Sequence, residues 1–294
     1  MTFIDIHSHV QFAAYDADLP AGRQGREAVM ARAREQGTKM INVGTQFDTS
    51  KAAVELAHKY PDIAWATIGL HPVHTSKSYH DTKEIGEGGE EFTSRGEVFD
   101  YDKYLELGRD EKVVAIGECG LDYYRVVERD SLFVIRQKEI FRQHVKLALE
   151  LDKPLMIHCR DAYEDLLEIL NEQRKTNNKK RLRGNVHFFA GGWDIAQQFL
   201  KRGFTLSFTG VITFTHDYDE VVKNTPLDMI MSETDSPYIT PIPLRGKRNE
   251  PINVKYVVQR IAEIKQLPVE QVAEQIMENA KRVFKVNRDS GILK

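Results

Sequence analysis

The sequence predicts an α/β protein, most simply a single-domain (β/α)8 barrel of the TIM type. Short apolar runs alternate with longer segments whose apolar residues follow helical spacing. The chain has 294 residues, which is close to the roughly 250 residues that such a barrel uses. Residues suited to binding metal follow five of the eight apolar runs. In a barrel these strand ends converge on one mouth, whereas a doubly wound open sheet, the alternative, explains the pattern less well.

Eight apolar runs have the length of a strand. In chain order they are residues 3–6, 39–43, 63–70, 113–117, 154–158, 185–189, 204–208 and 229–232. Helical spacing predicts helices between them, most clearly over 133–151 and from Pro251 to Ile264. A further helix is predicted over 267–284. We therefore expect one domain over residues 1–294 with an extra C-terminal helix.

Two segments interrupt this alternation of strands and helices. Residues 76–102 are rich in glycine and acidic residues, and they predict a long exposed loop after the third strand. Residues 174–183 form a basic run after the fifth helix. We expect that run to be a solvated loop, because most charge runs are.

The composition excludes several classes of protein. With 41% apolar residues the chain can bury a core, and its net charge of -3 provides no overall attraction for nucleic acid. Two cysteines, Cys119 and Cys159, are too few for a disulfide framework and suit a reducing compartment. No apolar stretch approaches the roughly 20 residues that span a bilayer, and no secretory signal is evident. We expect a cytoplasmic protein without membrane contact.

Two motifs place metal-binding residue types at strand ends. His7 and His9 end the first run, and a strand periodicity of two puts both imidazoles on one face. Asp5 shares that face and is expected to orient a ligand. Glu118 follows the fourth run, between Gly117 and Gly120, where the backbone can approach its neighbours closely. A carboxylate has two oxygens and can bridge two cations.

Three further residues of this kind, His158, His187 and Asp235, end the fifth, sixth and eighth runs. If the last strand continues to Pro237, Glu233 lies on the same face as Asp235. Each residue has an ordinary explanation as well: a core histidine, a salt-bridging glutamate, or an aspartate that caps a turn. Their common position at strand ends favours a metal centre. His144 lies on an apolar helix face, and we interpret it as a core histidine.

From residue 3 to about 284 the chain resembles the TatD family of metal-dependent deoxyribonucleases, within the amidohydrolase superfamily. The resemblance rests on the motifs above in this order, together with residues 207–210, 233–238 and 245–251. It implies the barrel and the metal ligands His7, His9, Glu118, His158, His187 and Asp235. We expect one ion at His7, His9, Glu118 and Asp235, and a second at Glu118, His158 and His187.

The resemblance also implies catalytic residues. Glu118 would bridge the ions, and Asp235 would accept a proton from water. The usual His-Pro-His of the family is here His71-Pro72-Val73-His74, so we assign His71 as catalytic and leave the role of His74 open.

The implied activity is hydrolysis of DNA phosphodiester bonds, exonucleolytic on single strands, by a water activated between two divalent ions. Zinc, manganese, cobalt and magnesium all remain candidates. Substrate contacts are expected from residues of the rim, because guanidinium groups bind phosphate bidentately. These are Arg160, Arg245, Arg248, Asn249 and Glu250. Lys247 fits a phosphate contact and an ordinary solvent-exposed residue equally well. Single-stranded DNA is the expected partner, with no obligate protein partner.

Two other functions remain open at this point. The same metals could hydrolyse an ester or amide, such as the ester of an aminoacyl-tRNA. A non-enzymatic barrel could instead bind nucleic acid or proteins through the basic run and the acidic loop. The set of six metal-type residues argues against such a scaffold.

Overall fold

The computed structural model describes residues 1–16, 25–80, 91–124, 126, 131–176 and 182–286, with only the backbone of Phe92 and of residues 173–176. Eight strands form one parallel sheet, in which each strand pairs with the next one along the chain. They are β1 (Phe3–Ser8), β2 (Thr38–Val43), β3 (Ala64–Ile68), β6 (Val113–Asp122), β7 (Leu155–Arg160), β8 (Gly184–Val186), β9 (Phe204–Phe208) and β10 (Ile230–Ser232). Each predicted strand is confirmed, with bounds that shift by a few residues.

The sheet curls into a nearly closed TIM barrel, because its last strand returns to its first. The His9 N–H donates to the Ser236 carbonyl at 2.8 Å, and the Asp235 N–H donates to the His7 carbonyl at 2.9 Å. These bonds join the segment after β10 to the end of β1. Consequently the carboxyl ends of all eight strands surround one mouth.

Helices connect the strands and cover the barrel. Those described are α1 (Arg26–Glu35), α2 (Phe47–Lys59), α3 (Tyr101–Gly108), α4 (Leu132–Leu151), α5 (Tyr163–Thr176), α6 (Trp193–Lys201), α7 (Asp219–Asn224), α8 (Val254–Lys265) and α9 (Val269–Phe284). The predicted helices over 133–151 and 267–284 correspond to α4 and α9. No helix within these described parts is both long and apolar enough to cross a bilayer.

The core lies on both faces of the strands. All ten residues of β6 are buried, as expected where helices cover the outside of a parallel sheet and side chains fill its interior. Helix α9 buries Val272, Ile276, Ala280 and Val283 along one face, with the three- and four-residue spacing of an amphipathic helix. His144 of α4 is fully buried, which confirms the prediction of a core histidine.

The prediction of a long exposed loop over 76–102 is wrong where the structure describes that segment. Lys77–His80 (β4) and Phe92–Arg95 (β5) pair as an antiparallel hairpin, and residues 81–90 lie outside the described part. These strands are short and mostly polar, so they lack the apolar run that reveals a core strand. Within the basic run 174–183, residues 177–181 also lie outside the described part.

Candidate metal centre

Two histidines and one aspartate form the first half of the site. The Nε2 atom of His7 lies 3.4 Å from Glu118 Oε2 and 3.7 Å from Asp235 Oδ1. The Nε2 atom of His9 lies 3.3 Å from the same Asp235 oxygen. The strand β10 ends at Ser232, and Asp235 has a left-handed backbone with φ 52°. The expectation of a strand continuing to Pro237 is therefore wrong, although Asp235 still reaches the mouth.

Three imidazoles surround the other oxygen of Glu118. Its Oε1 atom lies 2.8 Å from His187 Nε2, 3.2 Å from His158 Nδ1 and 3.2 Å from His71 Nε2. His158 Nδ1 and His187 Nε2 are themselves 3.3 Å apart. The two oxygens of Glu118 thus face two different groups of ligand atoms. The structure brings together all six predicted ligands, and also His71.

The residues present fit divalent metal ions. His7 is fully buried, yet neither ring nitrogen has a hydrogen-bond partner among the described residues. The nearby carboxylates approach Nε2 without the alignment of a hydrogen bond. A buried polar atom without a partner costs about 1–3 kcal/mol, unless it serves as a ligand. Three overlapping triads place their donor atoms within 4.8 Å of one another, and imidazole with carboxylate suits zinc, manganese or cobalt.

Two carboxylates behind the site fix the orientation of its imidazoles. Asp122 Oδ2 accepts a hydrogen bond from His158 Nε2 at 2.9 Å, so Nδ1 of that ring faces Glu118. Glu233 Oε1 lies 3.2 Å from His187 Nδ1, so Nε2 of that ring faces Glu118. Such partners set the tautomer of a metal-binding histidine.

Asp122 and Glu233 were not predicted as partners of the histidines, although the sequence carries a local signal for each. Asp122 stands four residues after Glu118 on the same strand face, and Glu233 stands two residues before Asp235. Glu233 also accepts hydrogen bonds from the Phe188 N–H and from the Ser207 hydroxyl.

Backbone contacts hold the histidines of β1. His9 Nδ1 donates to the Val43 carbonyl at 2.8 Å, which leaves Nε2 facing Asp235. Asp5 accepts bonds from the His7 N–H at 3.1 Å and from the N–H and hydroxyl of Thr234. Asp5 therefore positions the backbone of His7, not its ring.

Burial and mutual charge set the protonation of the site. Burial raises the pKa of Glu118, but the imidazoles of His71, His187 and His7 outweigh it and leave that pKa well below its usual range. Burial, reinforced by His187, lowers the pKa of His7 to about 3. His7 is therefore neutral at pH 7, which is the form that binds metal. Burial opposes protonation of His187 too, but Glu118 and Glu233 raise its pKa well above normal.

A glycine permits the close approach of β6 to β7 at the site. Gly120 pairs with His158 across these strands and has φ +147°, and a Cβ there would lie 1.9 Å from the His158 carbonyl oxygen. Only glycine avoids this collision. This confirms the expectation that glycines beside Glu118 serve close backbone packing.

Two of the predicted rim arginines are stacked on aromatic rings. The Arg160 guanidinium lies 3.6 Å from the ring centroid of Tyr124, and the Arg245 guanidinium lies 4.1 Å from that of Phe214. All four residues follow, or end, strands at the mouth of the barrel. Stacking holds a guanidinium by its face.

Arg245 Nη1 also donates to the Thr240 carbonyl at 2.9 Å, and the other predicted substrate contacts have structural partners too. Asn249 is completely buried, and its amide donates to the carbonyls of Thr234 and Tyr238. Glu250 accepts a bidentate hydrogen bond from Arg32 at 2.8 Å. Arg248 donates to the Ala14 carbonyl at 2.7 Å. Asn249 is thus unavailable to a substrate in this structure. Arg248 joins the last loop to the segment after β1, and Glu250 joins it to α1. Lys247 is exposed.

His74 does not join the ligand atoms. Its Nδ1 atom lies 3.1 Å from the Ser94 hydroxyl on β5, and its ring centroid is 6.1 Å from that of His71. Within the part of the chain that the structure describes, no group of metal-type residues includes it. His74 therefore faces the hairpin instead of the ligand atoms.

Comparison with known proteins gives a consistent result. The sequence model of a family described as TatD related DNase matches residues 4–285. YabD of Bacillus subtilis, named an uncharacterized metal-dependent hydrolase, is 39% identical over 286 residues, covering 96% of this chain and 99% of YabD. YcfH of Escherichia coli K12, named in the same way, is 36% identical over 290 residues, covering 98% and 97%. The solved structure of YjjV, described as a TatD homolog from Escherichia coli K12, has a TM-score of 0.74 and 26% identity, covering 97% and 98%.

Proposed function

This chain belongs to the TatD related DNase family of metal-dependent hydrolases, and on that premise we propose that it is a two-metal deoxyribonuclease that trims single-stranded DNA from an end. The observation that carries the proposal is the position of Glu118, whose two oxygens face separate groups of ligand atoms. One group comprises His7, His9 and Asp235, and the other His158 and His187. A carboxylate in this position can bridge two ions.

Two divalent ions in such a site supply a water of lowered pKa and neutralise charge on the phosphoryl oxygens. The side chains supply proton transfer and orientation. Asp235 is 14% exposed, against 4% for Glu118, so it is the ligand carboxylate more open to the attacking water and to its proton. His71 Nδ1 accepts a bond from the Val73 N–H at 3.2 Å. The proton of His71 is therefore on Nε2, which faces Glu118 Oε1 at 3.2 Å and would donate to that carboxylate or to a phosphate oxygen bound beside it.

The rim arginines suit a polyanionic strand. A guanidinium held by its face on a ring presents a planar fork of N–H groups, which matches the oxygens of a phosphate. Arg160 is the last residue of β7, whereas Arg245 follows β10, which is three strands further along in the order of the barrel. Two different phosphates of one DNA strand could thus be bound at separate points of the mouth. The exposed rings of Tyr124 and Phe214 beside them also offer faces on which bases stack.

The test compares a linear single-stranded oligonucleotide with a covalently closed circle of the same sequence, after loading the protein with manganese, zinc, cobalt or magnesium. We expect nucleotides to be released from the linear strand and the circle to remain intact. Glu118→Ala and Asp235→Ala should abolish this release while circular dichroism shows a normal fold. Glu263→Ala, which removes an exposed carboxylate from α8, is the matched control and should remain active.

Full activity of Glu118→Ala or Asp235→Ala would contradict the assignment, and cleavage of the circle would contradict the preference for an end. The same preparations are also offered an aminoacyl-tRNA ester. Rapid deacylation without nucleotide release would favour the ester hydrolase instead.

A further inference from the structure

A cavity of about 360 Å³ lies beside the metal centre, between the first turn of α4 and the β4–β5 hairpin. Its walls include Val73, Ser76, Ser78, Asp122 and Phe133. We propose that this cavity receives the nucleobase of the terminal nucleotide while its phosphate is at the metal centre. This inference rests on the proposed function and deepens it, because it gives the site a contact with the end of a strand.

The cavity is separated from the metal ligands by one side chain. Asp122 forms part of its wall, and the same carboxylate accepts the hydrogen bond of His158 Nε2 at 2.9 Å. Val73, another residue of the wall, stands two residues after His71. The cavity thus adjoins the residues that hold Glu118, since His158 contacts both Glu118 Oε1 and Asp122 Oδ2.

The chemistry of the walls suits a neutral aromatic ring. Val73, Leu132 and Phe133 provide apolar faces, while the Ser78 hydroxyl and His80 Nε2, 2.7 Å apart, provide a polar edge. A mostly apolar cavity with a few polar groups is typical of small-molecule sites, and bases stack on aromatic side chains. The walls carry one carboxylate, Asp122, and one guanidinium, that of Arg136, which donates to the Glu97 carbonyl at 3.3 Å. These two charges offset each other, so the walls carry no excess positive charge to hold a phosphate. The base, not the phosphate, is therefore the expected occupant.

The edge of the cavity exposes apolar surface that the core does not use. Leu132 is 84% exposed and Ile135 is 55% exposed at the start of α4. Large apolar side chains grouped beside a cavity mark a binding surface more often than scattered ones do. The hairpin, which the sequence did not predict, supplies the polar edge from β4.

The test measures binding, so that it does not depend on turnover. Isothermal titration calorimetry compares deoxyadenosine 5′-monophosphate and 3′-monophosphate with 2-deoxyribose 5-phosphate, which lacks the base, on the manganese-loaded full chain. We expect at least one of the two nucleotides to bind about tenfold more tightly than the sugar phosphate, because stacking of its base on Phe133 adds binding energy of that size. Phe133→Ala, which removes the ring, and Ser76→Trp, which fills the cavity, should bring that ratio close to one.

Ile242→Trp is the matched control. Ile242 is 48% exposed and lies after β10, four strands from β6 in the barrel order, so its indole does not enter the cavity. This variant should keep the wild-type ratio.

Equal binding of nucleotide and sugar phosphate by the wild-type protein, or an unchanged ratio in both cavity variants, would overturn the inference. If that occurs while single-stranded DNA is still trimmed, only the cavity assignment fails. Absence of both binding and trimming would overturn the proposed function together with it.

Discussion

Acidification should destabilise the protein through His144, a buried histidine of α4 that is not one of the predicted ligands. His144 Nε2 accepts a hydrogen bond from the Leu70 N–H at 3.0 Å, and its Nδ1 donates to the Ile140 carbonyl at 2.8 Å. The contact with Leu70 requires the neutral ring, because Nε2 must accept, whereas the contact with Ile140 survives protonation. Burial lowers the pKa of His144 to about 4, against a smaller opposing effect of the bond to Ile140. In the unfolded chain the pKa returns to about 6.5.

The sign follows from these two values. Above pH 6.5 the ring is neutral in both states and has no effect on the pH dependence. Below pH 6.5 the unfolded chain binds the proton first, so the free energy of unfolding falls as the pH falls toward 4. At pH 4.5 the loss from this residue is about 2 to 3 kcal/mol, since one pKa unit corresponds to roughly 1.4 kcal/mol.

The assay is urea unfolding of the wild-type protein and His144→Gln at pH 7.5 and pH 4.5. Glutamine can accept the Leu70 N–H but does not titrate. The other histidines and any bound metal titrate in both proteins, so their effects cancel in the difference. We expect the wild-type protein to lose about 2 to 3 kcal/mol more than the variant over this range. Equal losses would refute the reasoning.

Three further predictions concern the site. Asp122→Asn should weaken metal binding about 10- to 100-fold, because the partner that orients His158 changes; a competitive chelator titration measures this, and unchanged affinity would contradict that role. Gly120→Ala should lower the free energy of unfolding measured in urea, because the added Cβ collides with the His158 carbonyl; a fully stable variant would exclude the close approach of β6 and β7. Arg160→Lys should weaken binding of single-stranded DNA by fluorescence anisotropy, since lysine keeps the charge but lacks the planar fork; unaltered binding would remove Arg160 from the phosphate contacts.

The candidate metal ligands could be located from the sequence because their signal is local. His7 and His9 are two residues apart at the end of an apolar run. In a barrel the carboxyl end of every strand lies at the same mouth. The comparisons confirm the family, and the structure confirms the barrel. A pattern of this kind needs no knowledge of contacts between distant parts of the chain.

The orienting carboxylates could not be assigned in this way, because their role depends on strand register. Asp122 reaches His158 only because β6 and β7 pair with Gly120 opposite His158. Glu250 was expected at the substrate, but its partner Arg32 comes from α1, far away in the sequence. A sequence motif gives the position of a residue along a strand or loop. The orientation of its side chain depends on partners from distant parts of the sequence, such as Arg32 for Glu250.

Anomalous X-ray scattering from crystals loaded with manganese or zinc tests most directly whether two ions share Glu118. We expect two peaks about 3.5–4 Å apart, one beside His9 and Asp235 and the other beside His158 and His187, with Glu118 between them. A single peak, or peaks away from Glu118, would contradict the two-metal centre.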